Sequence, residues 1–167
     1  MKGHAIEEDN YIIRHPEKKD GLAIYRLVKK TKVLDVNSSY LYNLIGEHFS
    51  KTSLVITDKN SVVGFISGYL LPDKPDTLFI WQVGLDESLR GKGMAKKLVT
   101  KLIQIHSDTI TTVHTTVSPS NVPSNKLFDS IAKEFNTTIE HETFLDQSDF
   151  EAGHEEEILK IIPIPEG

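Results

Sequence analysis

The chain has 167 residues, 38% of them hydrophobic and 26% charged, which is the balance of one soluble globular domain with a core of its own. A net charge of −5 argues against nucleic acid or an anionic membrane as a partner. The absence of cysteine excludes disulfides, thiolate nucleophiles and Cys-based metal sites together.

The polar, acidic opening MKGHAIEEDN does not read as a signal peptide and is expected to be a flexible tail over residues 1–10, with one domain over 11–167. The longest nearly apolar stretch, VVGFISGYLLP, is too short to span a bilayer, so a cytoplasmic protein is expected. YIIR (11–14) is a first strand. Asp20 is placed to cap a helix running to about Val33, with Ile24, Leu27 and Val28 on its apolar face. Ser38 or Ser39 caps a second helix whose stripe is Leu41, Leu44, Ile45 and Phe49.

The period then changes. TSLVIT (52–57) and VVGFISGYLL (62–71) are strands of a hairpin joined by the turn DKNS, and TLFIWQVGL (77–85) follows the loop PDKPD. A third helix is expected from Gly91 to Ser107, with Met94, Leu98, Leu102 and Ile105 inward. TTVHTTV (111–117) is a strand, and Pro123–Lys133 is a helix carrying Leu127, Phe128 and Ile131. TIEHETFL (138–145) and EEILKIIPI (156–164) are two last strands around the acidic loop DQSDFEAGHE. The hairpins make the first half of the sheet antiparallel, and the step from 77 to 117 is a right-handed crossover between parallel strands. The fold class is therefore α/β, a mixed and mostly antiparallel sheet flanked by helices on both faces.

The third helix has an odd start. Arg90, Gly91, Lys92 and Gly93 make a poor first turn, because two glycines cost helix stability. After a strand, such a turn suits an anion: the glycines permit close backbone approach, and the first-turn N–H groups and helix dipole favour negative charge. A loose helix start on the surface is the alternative. Met94 after Gly93 rules out a P-loop, and no G-x-G-x-x-G is completed.

Arg90-x-x-Gly93-x-Ala95 behind a strand ending near Val83, in this order of elements, resembles the acetyl-CoA signature of the GNAT family of N-acetyltransferases. The resemblance implies a single-domain N-acetyltransferase fold with acetyl-CoA as co-substrate. It places the CoA pyrophosphate on the backbone amides of Gly91, Gly93, Met94 and Ala95, beside the charges of Arg90 and Lys92. The strand end Val83 to Leu85 would pair with the pantetheine, and Asn121, Lys126 and Phe128 would flank the other side of the cofactor. Three stretches, KKDGLAIYRLVKKTKVLDVNSSYLYNLI, FIWQVGLDESLRGKGMAKKL and SPSNVPSNKLFDSIAKEFN, resemble the group within that family that acetylates L-2,4-diaminobutyrate. The likeness covers about residues 11–150. For that group it implies acetylation of the N4 amine, a step toward the compatible solute ectoine. Family members are commonly homodimers, so a homodimer is expected.

Acetyl transfer needs a neutral amine, yet an alkyl ammonium of pKa roughly 10 leaves only about one part in a thousand reactive at pH 7. A base or a desolvated pocket must help. With no Cys and no G-x-S-x-G elbow, the expected route is direct attack in a ternary complex. A backbone N–H near Val83 and Gly84 is the candidate for polarising the carbonyl. Many family members carry a Tyr in the helix after the fifth strand; the matching position here is Phe128, which leaves the general acid unassigned.

For the substrate, Asp35 and Tyr40 are expected to hold an amine, with Asn37 close by and Trp81 as a wall, by cation–π contact. His154 and Glu156 are further candidates, and Glu157 is the candidate base. Each has a plainer alternative: Asp35 as a helix cap, Tyr40 and Tyr42 as edge packing, Trp81 as a core aromatic, and Glu155 to Glu157 as a solvated start to a strand. The seven histidines show no metal-ligand spacing, so no metal is expected. Two other functions stay open, acetylation of another small diamine or polyamine and a non-catalytic CoA-binding regulatory domain.

Overall fold

The computed structural model describes residues 6–8 and 10–166. The elements in chain order are β1 (Ile6–Glu8), β2 (Tyr11–Arg14), α1 (Gly21–Thr31), α2 (Ser39–Glu47), β3 (Leu54–Asp58), β4 (Ser61–Leu71), β5 (Lys74–Leu85), α3 (Met94–Ile105), β6 (Thr112–Val117), α4 (Val122–Glu134), β7 (Glu140–Leu145) and β8 (Glu157–Pro163). The order expected from sequence holds, with one strand added at the front. Within the segment expected to be a tail, residues 6–8 pair with β2, Ile6 opposite Ile13. Residues 1–5 and 9 lie outside the described residues.

The chain divides into two units, 1–69 with 81–105, and 70–80 with 106–167. In the first, the strand order is β1-β2-β3-β4-β5, and β2, β3 and β4 pair antiparallel. The β3–β4 hairpin turns at Lys59 and Asn60, both at positive φ (49° and 72°), the two-residue geometry whose twist matches its strands. Ile24, Leu27 and Val28 of α1 bury with Tyr42 and Ile45 of α2 against Val55 and Phe65.

Two helix ends differ from expectation. Asp20 stands at the N-cap of α1, but its carboxylate makes no cap bond. It instead takes Arg14 Nη1 and Nη2 at 2.7 and 3.0 Å and the Glu17 N–H at 2.7 Å, because a 3-10 turn at Lys18–Asp20 folds it back toward β2. The helix stops at Thr31, where Lys32 turns left-handed (φ 58°), so Val33 is outside it and exposed. Ser38 caps α2 as expected, accepting from the Leu41 N–H at 3.3 Å. Of the expected α2 stripe Ile45 is fully buried, joined by Tyr42, while Leu41, Leu44 and Phe49 are only half-buried.

In the second unit the strand order is β5-β6-β8-β7. β5 and β6 run parallel from Thr77↔Thr112 to Ile80↔Thr115, as the crossover requires. β8 is antiparallel to both β6 and β7. Alternate β6 residues Val113, Thr115 and Val117 are buried, as are Phe128, Ile131 and Ala132 of α4. β7 closes the edge with nearly every side chain exposed.

Candidate active site

The loop into α3 is where sequence and structure differ most usefully. The helix begins at Met94, not Gly91. Gly91 and Gly93 have φ of +77° and +71°, a left-handed backbone that interrupts a helix and that side chains disfavour. A Cβ at either position would meet nothing within 4 Å, so the glycines serve the turn itself and leave open space over it. Gly93 O accepts the Lys97 N–H at 3.1 Å and so starts the helical ladder. The Met94 and Ala95 amides precede any intrahelical acceptor. Arg90 and Lys92 are exposed.

What holds this loop lies just upstream. Leu89 is fully buried and anchors a 3-10 turn at Glu87–Leu89. Asp86 donates its N–H to Val63 O at 2.7 Å, and its carboxylate takes the Ser88 N–H at 3.1 Å and Lys30 Nζ at 2.7 Å. The hydrogen bond from Lys30, then those from Ser88, hold the Asp86 carboxyl well below the usual carboxylate range. A cavity of about 280 Å³ opens beside the loop, with Lys30, Lys32 and Arg90 among its lining.

The end of β5 is packed on one side and open on the other. Trp81 is 40% exposed and is not a core aromatic; its ring meets Tyr69 edge-on at 6.2 Å, and Tyr69 meets Phe49 at 6.0 Å. Burial raises the Tyr69 hydroxyl above its ordinary pKa. Gly84 is buried, and a Cβ there would lie 2.7 Å from Phe65 Cε1. The β5–β6 register runs from Thr77 to Ile80, and Val83 lies beyond it in the stretch Trp81 to Leu85.

Gln82, between Trp81 and Val83, was not singled out by sequence. It is 9% exposed, and its Oε1 accepts the hydroxyl of buried Tyr42 at 3.0 Å. Its Nε2 donates to Asp35 O at 2.8 Å, and its N–H donates to Ser67 Oγ at 3.2 Å. The Tyr42 hydroxyl also accepts the Asn37 N–H at 3.4 Å. Thus the backbone of the segment holding Asp35 and Asn37 is tied to β5. Asp35 is exposed, Asn37 half-buried, and Tyr40 68% exposed. The signal available in the sequence was period 2: Gln82 shares a strand face with Leu78, Ile80 and Gly84, all buried, and a polar residue there needs partners.

The remaining predicted residues lie in the second unit. Asn121 uses its side chain to cap α4, accepting from the Ser124 N–H at 3.2 Å. Lys126 is exposed, and Phe128 is 3% exposed within the core. In the acidic loop, His154 stacks on Phe150 at 3.7 Å and donates from Nδ1 to Glu155 O at 2.6 Å. Glu155 accepts from the Ser120 N–H at 3.2 Å and its hydroxyl at 2.5 Å, which fixes the loop to the segment before α4. Glu156 is half-buried, and Glu157 opens β8 opposite Leu145. Among the described residues no three His, Asp or Glu side chains gather as metal ligands, and no helix is long and apolar enough to cross a membrane.

A parallel step from β5 to β6 inside an otherwise antiparallel set, with a left-handed glycine turn opening α3, defines an N-acetyltransferase fold. The chain belongs to the acetyltransferase (GNAT) family, whose model matches residues 22–132. It is 40% identical over 159 residues to the L-2,4-diaminobutyric acid acetyltransferase of Oceanobacillus iheyensis, covering 92% of this chain and 88% of that one. To the protein of the same name from Streptomyces coelicolor it is 42% identical over 160 residues, covering 93% and 94%. Among solved structures it resembles diaminobutyrate acetyltransferase EctA from Paenibacillus lautus, in complex with its substrate L-2,4-diaminobutyric acid and coenzyme A. That match has a TM-score of 0.86 at 36% identity and covers 92% of this chain and 94% of the other.

Proposed function

We propose that this protein transfers the acetyl group of acetyl-CoA to the N4 amine of L-2,4-diaminobutyrate, in the synthesis of ectoine. The observation that carries the reading is the extended likeness to the Paenibacillus enzyme, whose structure holds that substrate and coenzyme A. The likeness spans the acceptor segment as well as the CoA loop. Acetyl-CoA brings an activated thioester, and its pyrophosphate fits the open turn over Gly91 and Gly93, with the Met94 and Ala95 amides and the charges of Arg90 and Lys92. The edge of β5 from Val83 to Leu85 offers main-chain groups to an extended arm, and a backbone N–H at Val83 or Gly84 polarises the carbonyl.

The chain's remaining task is to bring a deprotonated amine to that carbonyl. Asp35 and Tyr40 receive an ammonium group, Asn37 supports them, and Trp81 walls the pocket with its exposed ring face. Glu157 is assigned as the base that takes the proton from the attacking nitrogen, with His154 and Glu156 beside it in sequence. Asn121, Lys126 and Phe128 are assigned to the cofactor side, Asn121 and Phe128 through the placement of α4. The family resemblance adds a cytoplasmic homodimer working under osmotic stress, and sedimentation of the purified chain at twice the mass of the 18.8 kDa subunit would support the dimer.

The deciding experiment follows CoA release with L-2,4-diaminobutyrate, ornithine, lysine and 1,3-diaminopropane side by side, then locates the acetyl group by NMR. Preferred turnover of diaminobutyrate with N4 product is the expected result. Equal turnover of the other amines leaves the CoA half standing and removes the assigned substrate.

A further inference from the structure

Gln82 makes an unusual set of contacts for a side chain on the buried face of a strand. One amide joins three parts of the first unit: the hydroxyl of Tyr42 on α2, the carbonyl of Asp35 in the segment before α2, and β5 itself. The Tyr42 hydroxyl closes the loop by accepting the Asn37 N–H. Tyr42 is fully buried, edge-on to Phe65 at 6.4 Å, so its ring has little freedom to shift. A buried amide with a missing partner is costly, so this arrangement holds as a unit or not at all.

We propose that the Tyr42–Gln82 pair sets the length of the amine pocket and is therefore what selects the spacing between the two nitrogens of the substrate. The inference rests on the assignment of Asp35 as an amine acceptor and of the Val83–Gly84 backbone as the polarising group. Gln82 is covalently adjacent to Val83 and hydrogen-bonded at 2.8 Å to the Asp35 carbonyl, so one side chain ties together the two ends between which the substrate must reach. A diamino acid one methylene longer places its second nitrogen past the fixed point. Pocket lengths held this firmly discriminate a single methylene by roughly 10–200-fold. Tyr42 and Gln82 touch neither reactant in this arrangement; they are positioning residues.

The test is the ratio of kcat/KM for L-2,4-diaminobutyrate over ornithine, measured for the wild type, Tyr42→Phe, Gln82→Glu and the double variant. A ratio on one enzyme preparation cancels any loss of folded protein. Tyr42→Phe keeps the ring packing and removes both hydroxyl bonds. Gln82→Glu keeps an acceptor for the hydroxyl and loses the donor to Asp35 O. Each is expected to lower the ratio roughly tenfold, with KM for acetyl-CoA changed less than twofold, and the double variant to fall little further, because both act through one linkage. An unchanged ratio in both single variants overturns the inference, as does a parallel rise in KM for acetyl-CoA and the diamino acid. A wild type that prefers neither diamino acid overturns the assigned substrate before any variant is read, which separates that failure from this one.

Discussion

Lys30 at the end of α1 and Asp86 at the end of β5 are joined by a hydrogen-bonded ion pair of 2.7 Å, four residues ahead of the turn that carries Arg90. The two partners are not equal. The Lys30 ammonium stands mostly in water, whereas Asp86 also caps the 3-10 turn through the Ser88 N–H. Asp86→Ala is expected to cost about 1 kcal/mol, the usual worth of a cap, and to raise KM for acetyl-CoA several-fold by loosening the loop. Lys30→Ala is expected to change stability little. Denaturant titration and steady-state kinetics on the two variants separate the cap from the ion pair.

Gly91 and Gly93 make a second prediction with a clear sign. Alanine at either site meets no neighbouring atom but must adopt positive φ, costing about 1–2 kcal/mol. The added methyl also stands in the space assigned to the pyrophosphate. Each variant should raise KM for acetyl-CoA at least tenfold and leave KM for the diamine nearly unchanged. Calorimetric titration with CoA reads the effect directly.

Acid sensitivity should trace to Asp20. Burial pushes its carboxyl up, but the Arg14 hydrogen bonds and the Glu17 N–H outweigh burial and hold it below its usual pKa. The folded state thus binds fewer protons here than the unfolded chain. The resulting stability is present above pH about 3.9 and is lost as pH falls through the depressed folded value. Asp20→Asn should lower stability by about 1–3 kcal/mol at pH 7. The gap to wild type should narrow below pH 4 in urea melts.

His114 supplies a second pH dependence in a different window. Burial chiefly, and Lys74 in addition, lower its pKa, against the opposing pull of Glu142. Neutral imidazole is favoured in the folded state. Its contribution is therefore full above pH about 6.5 and declines as pH falls through the lower folded value. His114→Gln should flatten the stability profile between pH 7 and 5, and thermal melts across that range will show it.

The element order was legible because its signals are local: a helical period in α1 and α3, a turn at Lys59-Asn60, and alternation in β6. The start of α3 was misplaced by three residues because the left-handed backbone of Gly91 and Gly93 does not show in an apolar pattern, which begins at Met94. Asp20 was a reasonable cap by residue type, and only the fold-back toward Arg14 gives its carboxylate a stronger partner. In the candidate site, the side chains chosen by chemistry, Asp35, Tyr40 and Trp81, are solvent-exposed. Tyr42, read from sequence as edge packing, is instead fully buried, and its pairing with Gln82 was not legible because it spans 40 positions of sequence and neither residue reads as reactive.

The β3–β4 hairpin and the β5–β6 crossover differ in the length of chain each must close. The β3–β4 pairing closes across only the two residues Lys59 and Asn60, the kind of hairpin that forms in microseconds. The parallel β5–β6 register closes over residues 86–111, and the loop-closure entropy of that span is correspondingly larger. β7, the edge strand of the second unit, is nearly fully exposed, and the charges of Glu140 and Glu142 oppose the addition of a stray strand there.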